Sequence, residues 1–156
     1  MRDSKKKLRT AHSIFCDDIR QEIGGKYSLI GCYNAELILQ AVLPAALPKL
    51  CCAIRLVTPI DCPFVGVVFR AFAGDKLLAE SNAMSLSSKD VPKTDGGEAA
   101  KHLVLSAHMT FSPLLIEDSH VLRIEAETED ESFECGRLMI VARSTHDANI
   151  EVATVD

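Results

Sequence analysis

Between His12 and Arg143 the apolar side chains of this chain recur at every second position, in short runs separated by glycine, proline and acidic turns. A period of two is the mark of extended chain, because successive side chains of a strand point to opposite faces. Leu50, Cys52, Ile54 and Leu56 share one face, with Arg55 on the other. Val65, Val67, Phe69, Ala71 and Ala73 are opposed by Arg70. Leu103, Leu105, Ala107, Met109 and Phe111 are opposed by His102, Val104, Ser106, His108 and Thr110, and Leu122, Ile124 and Ala126 alternate with Arg123, Glu125 and Glu127. Such one-sided strands must hide their apolar faces against one another. The expected fold is therefore all-β: a two-layer antiparallel sandwich of seven to eight strands, immunoglobulin-like in the broad sense. The Cys–Trp–Cys hallmark of antibody domains is missing, since the chain has no Trp.

The stretch Phe15–Tyr33, FCDDIRQEIGGKYSLIGCY, reads as the founding hairpin. Gly24-Gly25 supplies the positive φ that a tight turn needs. Asp17 falls on the face of Phe15 and Ile19, where a carboxylate needs donors or a cation; Arg20 and Lys26 are near enough in sequence to supply one. The return strand reads as Lys26–Gln40, with Gly31 marking a bulge or a kink between two shorter strands. Pro44 and Pro48 flank an extended connection crossing between sheets. Pro113 through Asp118 makes a corner, and Glu129–Ser132 closes the last hairpin.

At 156 residues the chain fits one domain with a sizeable core. That domain is placed at residues 12–143, with 1–11 a disordered basic tail and 144–156 a C-terminal tail or edge strand. Ser85–Ala100 is a long polar connection, either a plain linker or a functional loop. The formal net charge of −5 argues against nucleic acid, whose partners carry basic footprints. The window Leu37–Leu56 is broken by Pro44, Pro48, Lys49 and Arg55, so no membrane span is expected. The start runs from lysines into Thr10-Ala11-His12 rather than an apolar h-region, so no secretory signal is read and a cytoplasmic location is expected. The six cysteines then read as reduced thiols, five buried in strands and Cys62, in a turn, the most exposed.

No catalytic or metal signature emerges. His102 and His108 share a strand face but stand roughly 20 Å apart along extended chain. Cys51 and Cys52 point to opposite faces, and no phosphate-binding glycine loop occurs. The expectation is a chain with no metal, no cofactor and no enzymatic activity. Asp17 and Asp18 also point to opposite faces and cannot form a facing acid–base pair. With Arg20, Lys26 and Tyr33 they make either a weak ligand or partner patch, or a structural ion pair fixing the first strand. The acidic stretch Glu125–Glu134 reads as a solvated hairpin or a dock for a basic partner.

The opening IFCDDIRQEIGGKYSLIGCYNAELIL, followed by LPKLCCAIRLVTPIDCPF, resembles a small uncharacterised bacterial family, a domain of unknown function. Its members share an IFxDDIRxExxGKxSLxGxY opening and then LPKLxxxxxxxTPxxxPF. The match is densest over Ile14–Tyr33 and Leu47–Phe64. The resemblance implies a cytoplasmic β-sandwich without catalytic residues to carry over. The functional expectation is a non-enzymatic protein-interaction module that binds a partner protein or itself. The alternative is a small polar-ligand or carbohydrate-binding domain centred on Asp17, Asp18, Arg20 and Tyr33.

Overall fold

The alternating runs all become strands. The computed structural model of the chain describes residues 9–85 and 101–143, and among them it is all-β. Twelve strands follow in order: β1 Thr10–Glu22, β2 Lys26–Cys32, β3 Glu36–Gln40, β4 Ala45–Leu47, β5 Leu50–Pro59, β6 Gly66–Ala73, β7 Lys76–Glu80, β8 Met84–Ser85, β9 His102–Phe111, β10 Leu114–Ile116, β11 His120–Thr128 and β12 Ser132–Arg143. One sheet runs β2-β1-β5-β9, a second runs β3-β12-β11-β6-β7 with β8 also on β6, and β10 pairs with β4 alone. Every pairing is antiparallel except β12 with β3.

The expected seven to eight strands are too few. The excess comes from places where the chain bends. The run Lys26–Gln40 is two strands in different sheets: β2 stays beside β1, whereas β3 crosses over and pairs in parallel with β12. The proline-flanked connection Ala45–Leu47 and the corner Leu114–Ile116 pair with each other. Periodicity over three residues is too short to read as a strand, although each segment follows a proline (Pro44, Pro113) that sets it off from its neighbours.

Residues of the two large sheets meet in a single apolar cluster. Phe15, Leu50, Cys52, Ile54 and Leu56 from the first sheet join Val67, Phe69, Ala71, Leu122, Ile124, Ala126, Leu138 and Ile140 from the second, with Phe64 and Ile116 closing the ends. The sheets approach closely where Gly136 of β12 lies against Ser13 of β1: a Cβ on Gly136 would stand 2.3 Å from Ser13 Oγ. Only the absence of a side chain permits that approach.

The boundary expected at residue 11 also moves. β1 begins at Thr10, and the Arg9 side chain is only 1% exposed. Its Nη2 donates to Glu129 Oε1 at 2.8 Å, to the Pro63 carbonyl at 3.0 Å and to the Cys62 carbonyl at 3.2 Å, and its Nε donates to Thr58 Oγ1 at 3.3 Å. The guanidinium stacks 4.6 Å from the Phe64 ring centre. A buried charge is tolerated when carboxylate and carbonyl acceptors surround it, and here they come from the β5–β6 and β11–β12 loops. The basic residues before Arg9, the connection 86–100 and the segment 144–156 lie outside the described residues.

Candidate functional site

β1 is longer than its neighbours allow. Thr10–Cys16 pair with β5, and beyond Cys16 the strand pairs with β2 only. The end of this hairpin is an arm standing clear of the sheet, with Ile23 at its tip 95% exposed. Its root is where the sequence put the carboxylates.

The structure divides the proposed patch into two contacts and one outlier. Tyr33 Oη donates to Asp17 Oδ1 at 2.5 Å. The same carboxylate lies against Gly31, whose φ is +67° and whose Cβ, if present, would fall 2.1 Å from Asp17 Oδ2. Gly31 is therefore required twice, for its backbone conformation and for the space above it. Burial, then the hydrogen bond to Asp17, pushes the Tyr33 phenol up to about 12. On the other face, Asp18 pairs with Lys49, accepts from Arg20 Nε at 3.4 Å and accepts from the Ile19 N–H at 3.0 Å. The Lys49 ammonium holds the Asp18 carboxyl below the usual carboxylate range, outweighing a smaller opposing effect of desolvation; Arg20 and the Ile19 N–H add to it. Asp18 holds Lys49 above its ordinary value in return. Lys26 is apart from both, opposite Glu22 at the far end of the arm. Lys49 was not among the sequence candidates because it sits 31 positions from Asp18. Its place in LPKL, just ahead of β5, was the available signal. Asp17 and Asp18 thus tie the root of the arm to Tyr33 on one side and to the start of β5 on the other.

What the arm does next is the feature that periodicity missed. Tyr27 and Leu29 of β2 overhang the outward face of the first sheet, and the Tyr27 ring meets the His108 ring of β9 edge-on at 4.3 Å. Together they wall a cleft of about 310 Å³ whose floor is His12 and Ile14 of β1, Ala53 and Arg55 of β5, and Val104, Ser106 and His108 of β9. Apolar groups are left wet there: Ile14 is 40% exposed, Val104 47% and Tyr27 48%. Arg55 is exposed and makes no hydrogen bond or ion pair with any described residue. The register explains how the floor assembles. Opposite rungs place His12 beside Arg55 and Arg55 beside Ser106, while Ile14, Ala53 and His108 form the next outward row.

Two other concavities are described. One, of about 340 Å³, lies over Arg9 with Cys62, Pro63, Val65 and Glu129 at its rim; the other, of about 370 Å³, lies between β7, β10 and the start of β11. None of the three is lined by Asp17, Asp18, Arg20, Lys26 or Tyr33. All six cysteines are free thiols, but their exposure departs from expectation: Cys32 is exposed at the root of the arm, whereas Cys62 is partly buried against Arg9. An arm paired on one edge only cannot cover its own residues. Burial pushes Cys16 up to about 11 and Cys52 and Cys135 up to about 12. Among the described residues no group of three or more His, Cys, Asp or Glu is placed to hold a metal, and no helix is long and apolar enough to cross a membrane.

Comparison with protein-family models, with curated proteins and with solved structures finds no match to this chain.

Proposed function

We propose that this chain is a non-enzymatic protein-interaction module that works through the outward face of the β2-β1-β5-β9 sheet. One observation carries the reading: a solvent-open cleft with exposed Ile14, Tyr27 and Val104, walled by a hairpin arm whose root is braced by Asp17 and Asp18. Apolar groups rimmed by polar ones and left accessible are the usual mark of a protein-binding surface. In this reading Asp17, Asp18, Arg20 and Tyr33 act on the partner indirectly, by setting the pose of the arm. The polar-ligand alternative draws no support from the described concavities, which do not reach those residues. The architecture we infer is a two-layer sandwich, immunoglobulin-like only broadly, supported by a core to which both large sheets contribute. The setting we infer is the bacterial cytoplasm, as the family resemblance implies.

A photo-crosslinking side chain at Val104, compared with one at Glu127 on the opposite sheet, tests the reading in a bacterial lysate. Adducts, whether to a second copy or to another protein, should form from position 104 and not from position 127. Equal yields from both positions would remove the assignment of the face.

A further inference from the structure

We infer that the partner segment taken by this cleft is acidic: a stretch of polypeptide that alternates carboxylates with apolar side chains. The inference rests on the interaction reading above and names the chemistry of what that face accepts. It begins with a charge asymmetry that the fold creates. Where β1, β5 and β9 pair with one another under the cleft, their outward rows are Thr10, His12, Ile14 and Cys16 on β1, Cys51, Ala53, Arg55 and Val57 on β5, and His102, Val104, Ser106, His108 and Thr110 on β9; Asp18 follows in the β1 row only where that strand has left β5. None of the paired positions is Asp or Glu, in a chain with 22 of them and a net charge of −5. The arm adds only Tyr27 and Leu29 to the lining. Among the described residues, the ionisable groups that line the cleft are, apart from the Tyr27 phenol, basic: His12, Arg55 and His108.

Among the described residues Arg55 has none of the acidic partners that other arginines of this protein hold. Arg70, Arg123 and Arg137 each touch a carboxylate. A guanidinium left free on an apolar, partly shielded floor is a preorganised site for a carboxylate, which it can grip with two parallel N–H donors. The imidazoles of His12 and His108, with Ser106 Oγ beside them, supply further donors along the floor. Ile14, Leu29 and Val104 supply contact for the aliphatic residues between the acids. A basic segment would meet like charge and no acceptor carboxylate, which excludes it more strongly than it excludes a neutral one.

The test uses the full chain and three fluorescein-labelled short peptides that alternate leucine with glutamate, glutamine or lysine, read by fluorescence anisotropy. The glutamate peptide should bind at least about tenfold more tightly than the lysine peptide, and its affinity should fall at about 0.5 M salt, where charges more than a few ångströms apart are screened. Arg55→Glu should weaken it by about tenfold or more, and Arg55→Gln by less. Both substitutions are at an exposed position, and unchanged melting curves confirm that the fold survives them. Equal binding of the glutamate and glutamine peptides, unaffected by Arg55→Glu, overturns the acidic specificity and leaves the interaction face standing. Self-association lost in Val104→Asp with no peptide bound means that a second copy fills the cleft, and this too overturns the inference while keeping the face. Failure of every peptide, with crosslinking equal at positions 104 and 127, removes both.

Discussion

The two large sheets turn opposite kinds of surface to the solvent. The outside of β3-β12-β11-β6-β7 is laced with ion pairs. Arg70 bridges Glu80 at 2.6 Å and also pairs with Glu127; Arg123 holds Glu125 at 2.8 Å and covers the Phe72 ring; Arg137 Nη2 donates to Glu134 Oε2 at 2.6 Å. Those contacts keep Arg70 and Arg137 above the ordinary guanidinium value, Arg70 through Glu127 and then Glu80, and Arg137 through Glu134. The outside of β2-β1-β5-β9 has, among the described residues, no carboxylate on the floor of its cleft, no ion pair to Arg55, and wet apolar side chains. The face of the second sheet pairs Arg70, Arg123 and Arg137 with carboxylates, although Ile38, Met139 and Leu77 are exposed on it too. The face of the first sheet differs in gathering its exposed apolar groups into a cleft beside a cation that has no ion pair with any described residue, and we read that as the condition of a binding surface. Each exposed ion pair is worth little in stability, so the contrast concerns recognition more than folding.

The largest effect should come from the rim where the loops of both sheets meet. Arg9 is the most buried of these cations, and removing it leaves Glu129 Oε1, Thr58 and the Pro63 carbonyl without the donor it supplies. Arg9→Ala should cost about 3 kcal/mol in chemical denaturation, the low end for a broken buried pair because Glu129 keeps some contact with water. A loss near zero would mean that the guanidinium is a passenger. The same contact predicts a pH dependence. Burial pushes the Glu129 carboxyl up, but its own backbone N–H, Arg9 and the Val65 N–H outweigh it and hold the folded value below the usual range. The unfolded chain then binds the proton more readily. Glu129 therefore contributes its full stability above an unfolded pKa of about 4.3 and loses that contribution as pH falls through the folded value. Glu129→Gln should flatten the acid limb of the stability curve, and an unchanged limb would deny the linkage.

A smaller effect should appear at the arm. Gly31→Ala forces a Cβ into a left-handed backbone position and onto Asp17 Oδ2. The backbone part costs about 1–2 kcal/mol, and displacement of the carboxylate adds to it. In an Asp17→Ala background the clash with the carboxylate should vanish, leaving the backbone part and a tight 3.1 Å contact with the Cβ of residue 17, so the double-mutant cycle isolates the carboxylate's share. The His108 ring resonances report the same event on the open face, because they shift if Tyr27 leaves its edge-on contact. Full stability with unmoved resonances would mean that the arm is not held from its root.

Much of this was open to reading from alternate positions alone. Leu50, Cys52, Ile54 and Leu56 are buried as their spacing requires, and so are Leu122, Ile124 and Ala126. Asp17 and Asp18 do point to different partners. Four things were closed to that reading, each for a physical reason. Lys26–Gln40 could not be assigned to one sheet or two, because a crossover at Tyr33–Ala35 leaves the alternation nearly intact. Asp18 was matched with its sequence neighbours, whereas its strongest partner, Lys49, arrives through the pairing of β1 with β5. The outward rows of β5 and β9 contain no acids, and that of β1 none before Asp18, but only register makes them one floor. Cys32 and Cys62 exchanged roles because exposure depends on whether an edge is covered, which local pattern does not encode.

The last expectation sets the two faces directly against each other and is the smallest. Arg70→Gln breaks contacts to Glu80 and Glu127, leaving two carboxylates beside each other without a cation. Arg55→Gln breaks no polar contact with any described residue, and an exposed change of that kind stays within about 0.5 kcal/mol. The melting temperature should therefore fall more for Arg70→Gln than for Arg55→Gln, and the gap should close as salt screens the exposed pairs. Binding of the glutamate peptide should rank the two variants the other way, with Arg55→Gln weakened and Arg70→Gln unchanged. If one residue leads in both measurements, stability and recognition are not divided between the two sheets, and the open face loses its claim to be different in kind from the closed one.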